Sequence, residues 1–219
     1  MALLVAVGGA TWAAGGSDGT KERAAFAAAP AMCEAVSRAT LDRLVPDAKV
    51  PPASGTYPGR RYTYCGWSSS TDARPGAKRG DERGVMVAVR LSANDTAARR
   101  DFETAWRGAL QTSGATSPGT LHSDAAIRVD GIGDQAFFTH RTATSGLGTL
   151  GTAEETVRVR NAVVIVSYRG LDATADRSGG TNRGASTPLT ATAGRPSTDA
   201  LAREVVTALT SCAPCRTPS

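Results

Sequence analysis

Lysine is almost missing from this chain of 219 residues. It stands only at positions 21, 49 and 78, which leaves arginine as 22 of the 25 basic residues. Aromatic side chains make up 5% of the sequence, and histidine occurs twice, at 122 and 140. The net charge of +5 and pI near 9.3 would suit a nucleic-acid binder. The basic residues are scattered, however. The densest pairs, Arg60-Arg61 and Arg99-Arg100, stand alone without the interleaved aromatics of a base-stacking platform. Nucleic acid is therefore not expected as a partner. With two histidines, one CxxC and no HxxxH spacing, a zinc site is not expected either. No GxSxG elbow or P-loop occurs, and no apolar run reaches the ~20 residues of a spanning helix.

The longest apolar stretch is the first. Met1 to Ala14 (MALLVAVGGATWAA) carries no charge, and Asp18 is the first charged residue. The basic front of a signal peptide is not there. Gly8-Gly9 and Gly15-Gly16 would break a buried helix. Residues 1–16 read as the remnant of a membrane anchor or, alternatively, as an irregular secretory signal. Residues 17–30 read as a flexible Gly/Ser/Ala tether. A single extracytoplasmic domain over 31–215 and a tail at 216–219 complete the chain, since this length suits one core.

Within the domain, Ala31 to Leu44 has helical spacing, with Cys33, Val36, Thr40, Leu41 and Leu44 on one face. Arg61 to Ser69 alternates as a strand, with Thr63, Cys65 and Trp67 on one side and Tyr62 and Tyr64 on the other. Val85, Val87, Val89 and Leu91 mark a second strand. A helix follows over about Asp95 to Thr112, with Ala98, Phe102, Ala105, Trp106 and Ala109 along its apolar side. Further strands are expected at 126–129 and 135–141. Glu154–Arg160 and Ala162–Tyr168 should form a hairpin turning at Arg160-Asn161, where asparagine tolerates the left-handed conformation. Residues 172–195 show no periodicity and read as a mobile loop, after which Ser197 should cap a last helix. Strands in consecutive pairs with helices between them predict an α+β fold, an antiparallel sheet flanked by helices.

Four cysteines allow three pairings. Cys33 and Cys65 both fall on core faces, which suits one bond between the first helix and the first strand. Cys212 and Cys215 are close enough to pair with each other, with Cys212 pairing elsewhere as the alternative. As a redox motif they would be poorly placed, because a helix C-terminus disfavours the thiolate. A thiol-disulfide enzyme built on Cys212 and Cys215, or an envelope hydrolase, is the alternative to a binding role. Glu154 and Glu155 are neighbours on a strand, so they point to opposite faces and do not work together as acid and base. No catalytic, metal-binding or cofactor-binding residues are identified, and no cofactor is expected. His122 and His140 read as solvated or hydrogen-bonded rather than catalytic.

One set of motifs has a familiar order. Cys33-Glu-Ala-Val opens a helix ending Leu41-Asp-Arg-Leu44, then come Cys65-Gly-Trp67, a helix containing Phe102, the turn Val129-Asp-Gly-Ile-Gly-Asp-Gln-Ala136, a valine-rich hairpin and a terminal helix. The chain resembles the actinobacterial envelope proteins grouped as domain of unknown function 3558. More loosely, it is similar to the extracellular sensor domains of actinobacterial receptor kinases. The resemblance spans about Ala31 to Cys212 and implies a Mog1/PsbP-like fold in a secreted or surface-anchored protein with no assigned reaction. This chain lacks the lipobox of many members, so a protein anchor replaces the lipid anchor as the expectation. The expected role is an extracytoplasmic, membrane-tethered binding or interaction domain, with a sensor domain of a signalling receptor as a further alternative. Its partners would be the membrane, through the N-terminal segment, and an envelope ligand or protein that the sequence does not name. Oligomeric state is not legible.

Overall fold

A computed structural model describes residues 26–48, 52–56, 61–70, 81–117, 121–145, 148–175 and 181–217. The expected anchor at 1–16 and most of the tether lie outside the described residues. A 3₁₀ turn at Met32–Glu34 leads into α1 (Arg38–Leu44), followed by strands β1 (Ala53–Thr56), β2 (Tyr62–Ser70) and β3 (Glu82–Leu91). Then come α2 (Asp95–Thr112) and strands β4 (Thr116–Ser117), β5 (Leu121–Ser123), β6 (Ile127–Val129), β7 (Gln135–Ser145), β8 (Gly148–Val159), β9 (Ala162–Ala175) and β10 (Thr181–Pro188). The last helix, α3, covers Ala191–Ser211.

The fold is α+β. Every strand pair among the described residues is antiparallel, in the order β1-β2-β3-β9-β8-β7-β5-β4, with β10 added to β9 and β6 to β7. The centre of the sheet is the valine-rich strand β9, paired to β3 on one side and β8 on the other. Alternation gives the sheet two unlike faces. Register aligns Cys65, Val87, Val166, Glu155 and Phe138 across one face, and Tyr64, Ala88, Ile165, Thr156 and Phe137 across the other.

The first face is closed. α3 lays Leu201, Ala202, Val205 and Leu209 on it, and the N-terminal segment adds Met32, Val36, Leu41 and Leu44, all buried. Glu204 of α3 ties the two coverings together by accepting from Ser37 N (2.8 Å) and Thr40 Oγ1 (2.6 Å). α3 can approach β8 closely because Gly194 has no side chain, and a Cβ there would stand 2.4 Å from that of Ala153.

Four expectations need correction. The first helix is two pieces, because Ser37 turns extended and its Oγ caps the second piece by accepting from Thr40 N. The stretch 172–195 is not a loop: it holds the end of β9, all of β10 and the first turn of α3, with only 176–180 outside the described residues. Its Thr, Ser, Gly and Ala carry almost no hydropathy contrast, so alternation leaves no trace there. The cap of α3 is Thr190, whose Oγ1 accepts from Ala193 N at 3.2 Å, and the helix runs on through Pro196. A proline at that depth removes a helix hydrogen bond, which is why Ser197 looked like the start.

The fourth correction concerns residues 26–30, expected in the tether, which pack against the domain. Phe26 is buried, and its backbone N–H and C=O are both held by the Asn161 side chain at 2.9 Å, while Ala27 N donates to Cys215 O at 2.8 Å. This employment of Asn161 also resolves the β8–β9 turn. Arg160, at φ 51°, is the left-handed residue of the pair, and Asn161 uses its amide to hold the N-terminal strap.

Candidate functional site

The second face of the sheet is only partly covered. α2 starts at Asn94, whose Oδ1 accepts from Ala97 N at 2.8 Å, and its first half is fastened down. Phe102 packs edge-on against Phe137 at 5.3 Å between ring centroids, and Asp101 reaches Ser92 Oγ at 2.8 Å and Arg90 at 3.5 Å. Arg158 projects from β8 beneath the helix start and pairs with Asp95 and Asp134. The far end is fastened separately. Ser113 Oγ accepts from Ala126 N (2.9 Å), and Gly114 N donates to Ser123 O (2.7 Å). On the outer side, Arg128 lies over the Trp106 ring at 4.2 Å.

Trp106 also packs on Phe137, at 5.4 Å between ring centroids, and past it α2 bridges over the sheet to its second fastening. Of the apolar face expected from sequence, Ala98 and Phe102 are buried, whereas Ala105 is exposed and Trp106 and Ala109 are half-buried. The space beneath is a cleft of about 570 Å³. Val163, Ile165, Thr156 and Phe137 form its floor, Ala105, Gly108, Ala109 and Thr112 its helical wall, and Tyr62 with Arg90 its rim. A second depression of about 370 Å³ continues over Tyr64, Gly66, Met86, Ser167 and Arg169. Glu154 and Arg141 line both and stand where the two meet.

Glu154 is the chemically unusual group of this surface. Burial pushes its carboxyl above the usual range, against the pull of Arg141, whose guanidinium sits 3.7 Å away. Ionised, it pairs with Arg141; protonated, it is a hydrogen-bond donor facing both depressions. An apolar floor ending in a few convergent polar groups is the common design of small-molecule sites, and the larger cleft falls in their ~300–1,000 Å³ range.

Of the two histidines, His140 reaches the edge of the larger cleft together with Asp124, with both ring nitrogens already engaged. His140 is buried on the closed-face side of β7, with Nδ1 2.7 Å from Asp124 Oδ2 and Nε2 2.8 Å from the Leu189 carbonyl. The exposed His122 Nε2 lies 3.1 Å from the other Asp124 oxygen. Among the described residues, no three His, Cys, Asp or Glu side chains are grouped as a metal would need.

The structure joins Cys33 to Cys65 with Cα atoms 5.1 Å apart, closing a separation of 32 residues, and Cys212 to Cys215. The first bond lies in the core, Cys65 being fully buried. The second sits at the end of α3, where Cys215 is buried under the N-terminal strap. Neither touches the cleft. Sequence reasoning missed the cleft residues Arg90, Arg141 and Ile165, since they lie on different strands and only register brings them together. Glu154 and Glu155 do point to opposite faces, one to the cleft and one to the core.

No family model matches the chain, and no curated protein matches it. Among solved structures, it is similar to the extracellular domain of PknH from Mycobacterium tuberculosis, with a TM-score of 0.49 and 11% sequence identity over 82% of this chain and 94% of that one. No functional conclusion follows from a likeness this distant.

Proposed function

We propose that this chain is an extracytoplasmic binding domain, held at the membrane through the segment that precedes residue 26, and that its ligand lies in the cleft beneath the second half of α2. The observation that carries the reading is the bridge itself. A helix fastened to the sheet at both ends holds its small residues Ala105, Gly108 and Ala109 above an apolar floor. Water in such a cleft is released favourably when an apolar group replaces it. The ligand class that suits it is a small amphipathic molecule, its apolar body over Val163, Ile165 and Phe137 and a polar end at Arg141 and Glu154. The compartment is supported by the two disulfides, which take up all four cysteines and persist in oxidising surroundings. The anchor is supported by the apolar first 16 residues. No helix among the described residues is long and apolar enough to cross a membrane.

The amphipathic dye 8-anilinonaphthalene-1-sulfonate serves as the probe. Saturable one-to-one fluorescence enhancement is expected, and Ala109→Trp, which fills the cleft from the helix, should weaken it at least tenfold with an unchanged circular dichroism spectrum. Equal binding by wild type and Ala109→Trp would remove the cleft as the site. Fractionation of the native host tests the compartment separately, and recovery in the cytosol with four free thiols would end that part.

A further inference from the structure

Glu155 is the odd residue of the closed face. It occupies the middle of β8 in the series Ala153, Glu155, Val157, Val159, all turned toward α3, and none of its surface reaches solvent. Neither of its carboxyl oxygens meets a hydrogen-bond donor, and the same is true of the buried Oδ1 of Asp199 on α3. Asp199 is the side chain within hydrogen-bond reach of it. Two facing carboxylates whose opposed oxygens are shut off from water repel each other, whereas one proton between them makes a donor of one and an acceptor of the other. That proton satisfies two of the three orphaned oxygens, one on each residue, without any other group moving.

We propose that Glu155 and Asp199 hold one proton in common, and that this proton latches the N-terminal half of α3 onto β8, so that its loss releases that half from the sheet. The surroundings favour this over a salt-bridged alternative. α3 contributes two arginines to the neighbourhood, Arg203 and Arg195, and both pull the Glu155 pKa down, against burial and Asp199. Neither donates to its carboxyl oxygens; Arg203 donates instead to the Gly131 carbonyl at 2.9 Å, and Arg195 lies 6.0 Å from the Phe138 ring. From β9 the cross-strand neighbour is Val166, and from β7 it is Phe138. The nearest titratable group on β7 is His140, whose ring is held by Asp124 and Leu189. Glu204, farther along α3, is bound to Ser37 and Thr40. On β8 itself, Glu154 faces away into the cleft.

α3 is also built to yield at this place. Pro196 cannot donate to the carbonyl four residues back, so the first turns are joined to the rest of the helix by one bond fewer. Asp199 stands three residues beyond the break.

The direction of the pH response follows. Burial first, and Asp199 second, push Glu155 up to about 8 from an ordinary value of 4.5. A carboxyl whose pKa is raised by folding gives its full contribution below its unfolded pKa and loses it as pH rises through the folded one. The latch is therefore closed in acid and opens in mild alkali.

Thermal unfolding of the full chain from pH 5 to 9, with Glu155→Gln beside wild type, reads the linkage. The difference in Tm between variant and wild type should grow in favour of the variant as pH rises to about 8, and then level off. Hydrogen exchange on the wild type, corrected for intrinsic rates, needs no variant. Amides 197–203 should lose protection at least tenfold between pH 6 and pH 9, while the helix beyond Val205 keeps its own. A pH-independent difference in Tm, or unchanged protection of 197–203 at pH 9, would overturn the proposal. Should Glu155→Gln fail to fold, Asp199→Asn is read in its place, because it removes the shared proton from the other side.

Discussion

The two faces of this sheet are made from the same strands and are used in opposite ways. The face under α3 and α1 is filled with Val, Leu, Ala and a disulfide, and it also buries the unpartnered hydroxyl of Thr63 and the carboxyl of Glu155, which is left to a partner carboxyl. The face under α2 is half open, with an aromatic clamp at one end, a hydrogen-bonded fastening at the other and a gap between. β8 shows the contrast within two residues. Glu154 and Glu155 are chemically identical and adjacent, both have a pKa raised first by burial, yet one lines a cleft and the other is sealed under a helix. Alternation along a strand is enough to assign them different work.

If the closed face holds the domain together and the open one does not, substitutions should separate by face rather than by residue size. The largest effect is expected at Leu201, fully buried in α3, where Leu201→Ala should cost ~2–5 kcal/mol in urea unfolding. Replacing both Cys33 and Cys65 by serine should lose ~3–4 kcal/mol by the loop-entropy argument for this separation, measured the same way against the oxidised protein. Next comes Gly194→Ala. Its new methyl meets Ala153, so overpacking of ~1–3 kcal/mol is expected, with loss of exchange protection in the first turns of α3. The smallest effect belongs to the open face. Met86, 38% exposed, should tolerate serine within ~0.5 kcal/mol. A loss at Met86 comparable to that at Leu201 would dissolve the distinction between the faces.

Legibility in the sequence followed the same division. β2, β3 and α2 could be read because their buried faces are Val, Leu, Phe and Cys against polar neighbours, which gives alternation or helical spacing a strong contrast, and β9 because Ala162 to Val166 is one unbroken apolar run. β10 could not, since Thr, Ser, Ala and Gly differ too little in hydropathy to show which side is inside. The start of α3 was hidden by Pro196, a residue that normally marks a boundary. The cleft was invisible for another reason. Tyr62, Arg90, Arg141 and Glu154 are ordinary outward residues on their own strands and become a site only through the register of β2, β3, β9, β8 and β7. Phe26 did carry a signal, as a lone aromatic in an alanine-rich stretch, but its partner Asn161 lies 135 residues away.

That partnership bears on mechanics. A pull arriving along the chain at residue 25 meets Phe26 first, clamped by Asn161 and by the Cys215 carbonyl. Should these bonds give way, only the few residues up to Cys33 can peel, because there the chain is covalently joined to β2. Beyond that point tension passes into β2, a strand hydrogen-bonded on both sides, to β1 and β3. A pull from upstream is thus handed by the disulfide to the sheet, past the segment between the two cysteines.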